Sequence, residues 1–161
     1  MKITDLRMET YRYPGRRSTP AGRFVFGGDG LDVVKVETDE GVTGVGLGWT
    51  VGKVDALGRN LAEFYKQTAL GKDPLDHERL WADLWQPNDL GRRGIATRVL
   101  SSIDVALWDI KGKVAGLPLY KLLGGYADKV PAYVSRGHRG EGPKEVAAGV
   151  EDSVSQGVRG I

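Results

Sequence analysis

A chain of 161 residues holds one domain, or one small domain and the opening of a second. With 40% apolar against 27% charged residues it can bury a core, which excludes wholesale disorder, and a formal charge of +2 gives no general pull toward nucleic acid or anionic membrane. Cysteine is absent, so disulfides, thiolate zinc sites and cysteine nucleophiles are excluded, and two histidines do not make a histidine-rich metal site.

No apolar run approaches the ~20 residues of a membrane span, and Met1 to Asp5 carries no apolar signal segment; the expectation is a soluble, cytoplasmic protein. From Ile3 to Tyr13, Leu6 and Met8 alternate with Arg7 and Glu9, a period of two that predicts a strand. Pro14 to Gly30, rich in glycine and carrying Arg16, Arg17 and Arg23, is too long for an ordinary turn and reads as a functional loop. Leu31 to Thr38 and Val42 to Leu47 are two further strands joined by Asp39-Glu40-Gly41, whose glycine suits a tight hairpin. Together they predict a three-stranded antiparallel sheet.

After Gly52 the period changes. Val54, Leu57, Leu61, Phe64 and Tyr65 fall at helical spacing, and Asp73-Pro74 offers a cap and a first-turn proline for a second helix. In that helix His77, Leu80, Trp81, Leu84 and Trp85 share one stripe. The strongest helical pattern is Ile95 to Ala115, with Val99, Ile103, Leu107, Ile110 and Val114 on one face and Gly116 and Pro118 as the stop. A short helical turn through Pro118 to Leu123 ends at Gly124-Gly125.

Beyond Tyr126 the pattern is strand (Val130 to Val134), Gly-rich loop, helix (Pro143 to Gln156) and the start of another strand at Val158. This is the repeating unit of parallel α/β folds. The fold class expected is an α+β capping domain over residues 1–125 followed by the start of a βα barrel over 126–161. A parallel strand needs neighbours on both sides, so a stop at Ile161 reads as an incomplete barrel.

The span Arg98 to Gly125, RVLSSIDVALWDIKGKVAGLPLYKLLGG, resembles the enolase superfamily in its mandelate racemase and muconate lactonizing branch. The hairpin Val34 to Gly44 and the late Gly157 to Ile161 resemble the same family in the same order. The resemblance implies an enzyme that removes the proton next to a carboxylate, with magnesium stabilising the enediolate and a homo-oligomeric assembly. It also implies that the lysine base and the acidic metal ligands lie on later barrel strands. No catalytic or metal-binding residue is therefore expected in this chain, and the chain alone is expected to be inactive.

By the same resemblance, Pro14 to Gly30 and Gly48 to Gly52 stand where the family places the capping loops that close over substrate. The candidate substrate-binding residues are Arg16, Arg17, Arg23, Phe26, Trp49 and Thr50 in these loops, and Ser135 and His138 just past the first barrel strand. Guanidinium offers a planar fork of donors suited to carboxylates and sugar hydroxyls. Each arginine also reads as a solvated loop charge, Phe24 and Phe26 as packing residues, and His138 as solvent-exposed. Gly27-Gly28-Asp29-Gly30 superficially looks like a phosphate loop but leads into a strand and lacks the following Lys-Ser or Lys-Thr. His77 reads as a packing residue, and Asp104 and Asp109 as structural carboxylates rather than a catalytic pair.

The function expected is the amino-terminal part of a magnesium-dependent acid-sugar dehydratase, its partners a small carboxylate substrate and the remainder of the barrel. The alternatives are a racemase, an epimerase or cycloisomerase of related carboxylates, and a noncatalytic α+β module that binds a partner or itself.

Overall fold

The computed structural model describes residues 1–12, 19–21, 24–26, 30–48, 55–134 and 142–160, with backbone only at 19–21, 24–26 and 55. β1 (Ile3–Arg12), β4 (Gly30–Thr38) and β5 (Thr43–Gly48) form the expected antiparallel sheet in the order β1-β4-β5. The short strands β2 (Thr19–Ala21) and β3 (Phe24–Phe26) pair with each other as a separate hairpin. They fall inside the stretch expected to be loop throughout, where three-residue strands are too short to show a period.

Each strand of the larger sheet has one face toward the core. Leu6 and Met8 of β1 lie there with Ile3, whose odd spacing is absorbed by a register shift between Ile3 and Asp5. Val34 and Val36 of β4 follow the same alternation, and the turn between β4 and β5 closes at Gly41 with φ 77°. The core-facing positions of β5 are all glycine: Gly44, Gly46 and Gly48. A Cβ on Gly44 or Gly46 would overlap the carbonyl oxygens of Ala106 and Ser102, because the helix α4 (Ile95–Ala115) rests directly on the backbone of β5.

α4 presents Val99, Leu100, Ile103, Ala106, Leu107 and Ile110 to the sheet and ends at Gly116 in the left-handed conformation, as expected. Val114, placed on the same stripe from the sequence, is 45% exposed, because the helix has run past the last strand positions by that turn. α1 (Asp55–Ala69) packs on β1 and α4 through Ala62, Tyr65 and Ala69. Leu57 and Phe64, assigned to its inner stripe, are exposed, whereas Tyr65 of that stripe is buried beside the small residues Ala62 and Ala69.

Asp73-Pro74 does not open a helix: the Asp73 carboxylate accepts the Leu75 N–H at 2.9 Å in a turn, and α2 starts later (His77–Leu84). A short α3 (Pro87–Leu90) follows, which the sequence pattern does not reveal. In α2, His77, Leu80 and Leu84 are buried, whereas Trp81 is exposed and stacks on Trp85 with ring centroids 5.4 Å apart. α5 (Leu119–Leu122) and α6 (Pro143–Ser155) complete the helices among the described residues.

The expected strand at Val130 to Val134 and the strand start at Val158 are not formed as strands. One backbone hydrogen bond, from Val134 N–H to the Gly160 carbonyl at 3.0 Å, ties the two segments. Among the described residues no further strand borders them, and a parallel ladder gains stability from neighbours on both sides.

Candidate functional site

β1 ends and β4 begins at one edge of the sheet, where Arg12 pairs with Gly30, and β5 ends beside them, where Gly48 pairs with Asp32. The chain between residues 12 and 30 and the chain after Gly48 therefore depart from the same end of the sheet. Both stretches carry the expected substrate-covering residues.

Asp32 sits at the root of these departures. It occupies a core-facing position in β4 and is only 4% exposed. The Thr10 hydroxyl donates to Asp32 Oδ1 at 2.7 Å, and Arg59 of α1 donates to the same hydroxyl oxygen at 3.2 Å. A buried carboxylate without such donors is costly, so the relay joins β1, β4 and α1 at one point. Gly48 is matched to it: a Cβ there would lie 3.1 Å from the Asp32 Cβ and 3.2 Å from Met8 Cε. Sequence reasoning missed this cluster. The available signal was a carboxylate in the apolar phase of a strand that otherwise reads Val34, Val36.

Of the candidate substrate-binding residues, Arg16, Arg17, Arg23, Trp49, Thr50, Ser135 and His138 lie outside the described residues. Phe26 lies in β3 opposite Thr19, with its side chain likewise outside them, and Phe24 pairs with Ala21.

The remaining polar residues singled out from the sequence have structural partners. His77 is 4% exposed, its ring 4.7 Å from that of Trp108 and its Nε2 2.7 Å from Asp104 Oδ1. Its Nδ1 is buried with no hydrogen-bond partner among the described residues. Asp109 accepts the Val45 N–H at 2.8 Å and the Lys113 ammonium at 2.6 Å. The two aspartates thus serve α2 and β5 respectively and do not converge on a shared site.

The described residues do not fit magnesium, since no three histidine, aspartate or glutamate side chains among them stand close enough to hold an ion. A cavity of about 240 Å³ is lined by Asp73, Asp76 and Asp83 together with Lys72 and Arg79. Lys72 donates to Asp83 at 2.7 Å and holds its carboxyl below the usual range. Among the described residues no helix is long and apolar enough to cross a membrane.

The sheet, the α4 contact and the two departures define an enolase-type capping domain. A family profile for the mandelate racemase / muconate lactonizing enzyme N-terminal domain matches residues 26–124, and the chain belongs to this family. It is 38% identical over 155 residues to a D-galactonate dehydratase of Ralstonia pickettii, covering 94% of this chain and 35% of that protein. In structure it resembles the L-talarate/galactarate dehydratase of Salmonella typhimurium LT2 with a TM-score of 0.83 and 28% identity, covering 97% of this chain and 42% of that one. It also resembles a racemase from Streptomyces coelicolor A3(2) with bound magnesium, with a TM-score of 0.84 and 30% identity, covering 95% of this chain and 44% of that one. The chain thus spans less than half the length of each of these proteins.

Proposed function

We propose that this chain is the substrate-covering part of an acid-sugar dehydratase, with residues 1–125 as the cap and 126–161 as the opening of the barrel. The observation that carries this reading is the Ralstonia dehydratase similarity, which spans 94% of the chain and so extends past the cap into the barrel segment. In this reading Arg16, Arg17 and Arg23 hold the carboxylate or hydroxyls of the sugar. Phe26, Trp49 and Thr50 shape the pocket, and Ser135 and His138 face it from the barrel side. Barrel enzymes place their chemistry at that face, past the carboxyl ends of the strands.

In this reading proton abstraction next to a carboxylate would build negative charge on its oxygens, and magnesium would supply the charge that offsets it. The ion's ligands and the base belong, in this reading, to later strands, as the family resemblance implies. The surface that the remaining barrel would cover is already apolar: Leu123, Tyr126, Val130 and Tyr133 are all exposed.

The test is an assay with magnesium against a panel of aldonates and aldarates. The chain is used alone and fused to the barrel of the Ralstonia dehydratase. No turnover is expected from the chain alone, and loss of water from at least one acid sugar is expected from the fusion. Exchange of the α-proton with deuterated solvent without loss of water would instead favour the racemase reading. Dehydration by the chain alone, or a folded fusion inactive on every acid, would overturn the proposal.

A further inference from the structure

The outermost strand of a sheet carries backbone N–H and C=O groups on which another chain can pair. β5 is such a strand, and its sequence, Thr43-Gly-Val-Gly-Leu-Gly48, has none of the charges or prolines that usually discourage pairing. Alternate residues of an antiparallel strand turn both backbone groups toward the neighbour or both away from it. In β5 the residues turned away from β4 are Thr43, Val45 and Leu47.

Each of these three meets a polar side chain of α4. Lys113 Nζ donates to the Thr43 carbonyl at 2.6 Å, the Val45 N–H donates to Asp109 Oδ2 at 2.8 Å, and Ser102 Oγ shares its proton between the Leu47 carbonyl at 3.0 Å and the Arg98 carbonyl of its own helix at 2.9 Å. Lys113 also donates to Asp109 at 2.6 Å, which fixes the two side chains against each other. The spacings agree: Ser102 to Lys113 rises about 16 Å along the helix, and Leu47 to Thr43 about 13 Å along the strand.

We infer that Ser102, Asp109 and Lys113 stand in for a fourth strand, and that the partner they keep off β5 is the β5 of a second copy. The uncharged strand is self-complementary, and Val45 and Leu47, the latter 63% exposed, would extend one apolar face across a two-fold axis.

Asp109→Ala with Lys113→Ala removes two of the three bonds while leaving buried Ser102 untouched. The cysteine-free chain accepts a single spin label at Val45→Cys. The expected result is that label pairs come close enough to broaden the spectrum in the double variant and not in its parent, with a doubling of sedimenting mass. A folded double variant whose labels stay apart would overturn the inference. Amide exchange in the unmodified chain gives an independent check, because the Val45 N–H should exchange at least tenfold more slowly than an open peptide. Exchange at the open-peptide rate would overturn the inference whatever the variant does.

Discussion

Val99 and Val130 are the same residue in two different situations: the first is 1% exposed and the second 79%. Between Ile3 and Ala115 the apolar residues of strands and helices face one another across two layers, and Leu6, Val34, Ile103 and Leu107 are buried at their contact. Between Tyr126 and Gly160, Ser153 is the one buried side chain among the described residues, although Tyr126, Val130 and Tyr133 are residue types that the core also buries at Tyr65 and Val34. Residues 126–160 hold no leucine, isoleucine, methionine, phenylalanine or tryptophan, and they also have no second layer to pack against among the described residues. Removal of a side chain from water stabilises by about 1.5–3 kcal/mol only where such a surface exists.

The contrast is broken most severely at Gly46. Gly46→Ala places a methyl group into the Ser102 carbonyl, and separation of α4 from β5 should cost more than the ~1–3 kcal/mol of ordinary overpacking. Thermal unfolding followed by circular dichroism should show no cooperative transition, or one at a much lower temperature. Leu107→Ala should cost about 2–5 kcal/mol and Val130→Ala less than about 0.5 kcal/mol in the same chain, measured by urea titration. Equal losses at the two positions would show that residues 126–134 are packed.

Hydrogen exchange sharpens the comparison along the backbone. Amides of α4 from Val99 to Ile110 should approach the protection of global unfolding, while those of 126–133 should exchange in the fast, locally open range.

The smallest effect belongs to the outer face of the sheet. Lys35, Tyr11 and Arg7 all donate to Glu9 and hold its carboxyl at about 2, below its ordinary 4.5. Asp5 is lowered as well, chiefly by Lys66. A lowered folded value means that the stabilisation is complete above pH 4.5 and is lost as the pH falls toward about 2. Glu9→Gln should flatten the decline of stability across that window, and added salt should do the same to a lesser degree. Urea midpoints measured from pH 5 to pH 2 read both effects.

The parts of the fold legible in the sequence are those where local pattern and tertiary packing agree. The alternation of Leu6 and Met8, the hairpin turn at Gly41 and the stop at Gly116 depend on neighbours in sequence, and each stands where it was expected. On the inner face of α1 the expectation held at Tyr65 and Leu61 and failed at Leu57 and Phe64, and it passed over the small residues Ala62 and Ala69. Ala62 and Ala69 are buried because the helix lies close to β1, a distance no periodicity reports. Val130 to Val134 had the composition of a strand, but a strand is completed by its neighbours rather than by its own residues. In the candidate site, the positions from which the loops depart could be inferred from the sheet order. The Thr10–Asp32–Arg59 relay could not, because its members are far apart in sequence and meet only in the folded chain.

The contact of α4 on Gly44 and Gly46 is one of main chain on main chain, and main chain has no rotamers to exchange. Most helices ride on side chains that can repack when a neighbour changes, so their height above the sheet drifts with every substitution. Here the height is set by the van der Waals radii of peptide atoms. A substitution elsewhere in the core can loosen the domain, yet it has no adjustable spacer through which to tilt this helix against this strand. The result is a fixed datum: whatever docks against α4 and whatever departs from the end of β5 share one frame of reference.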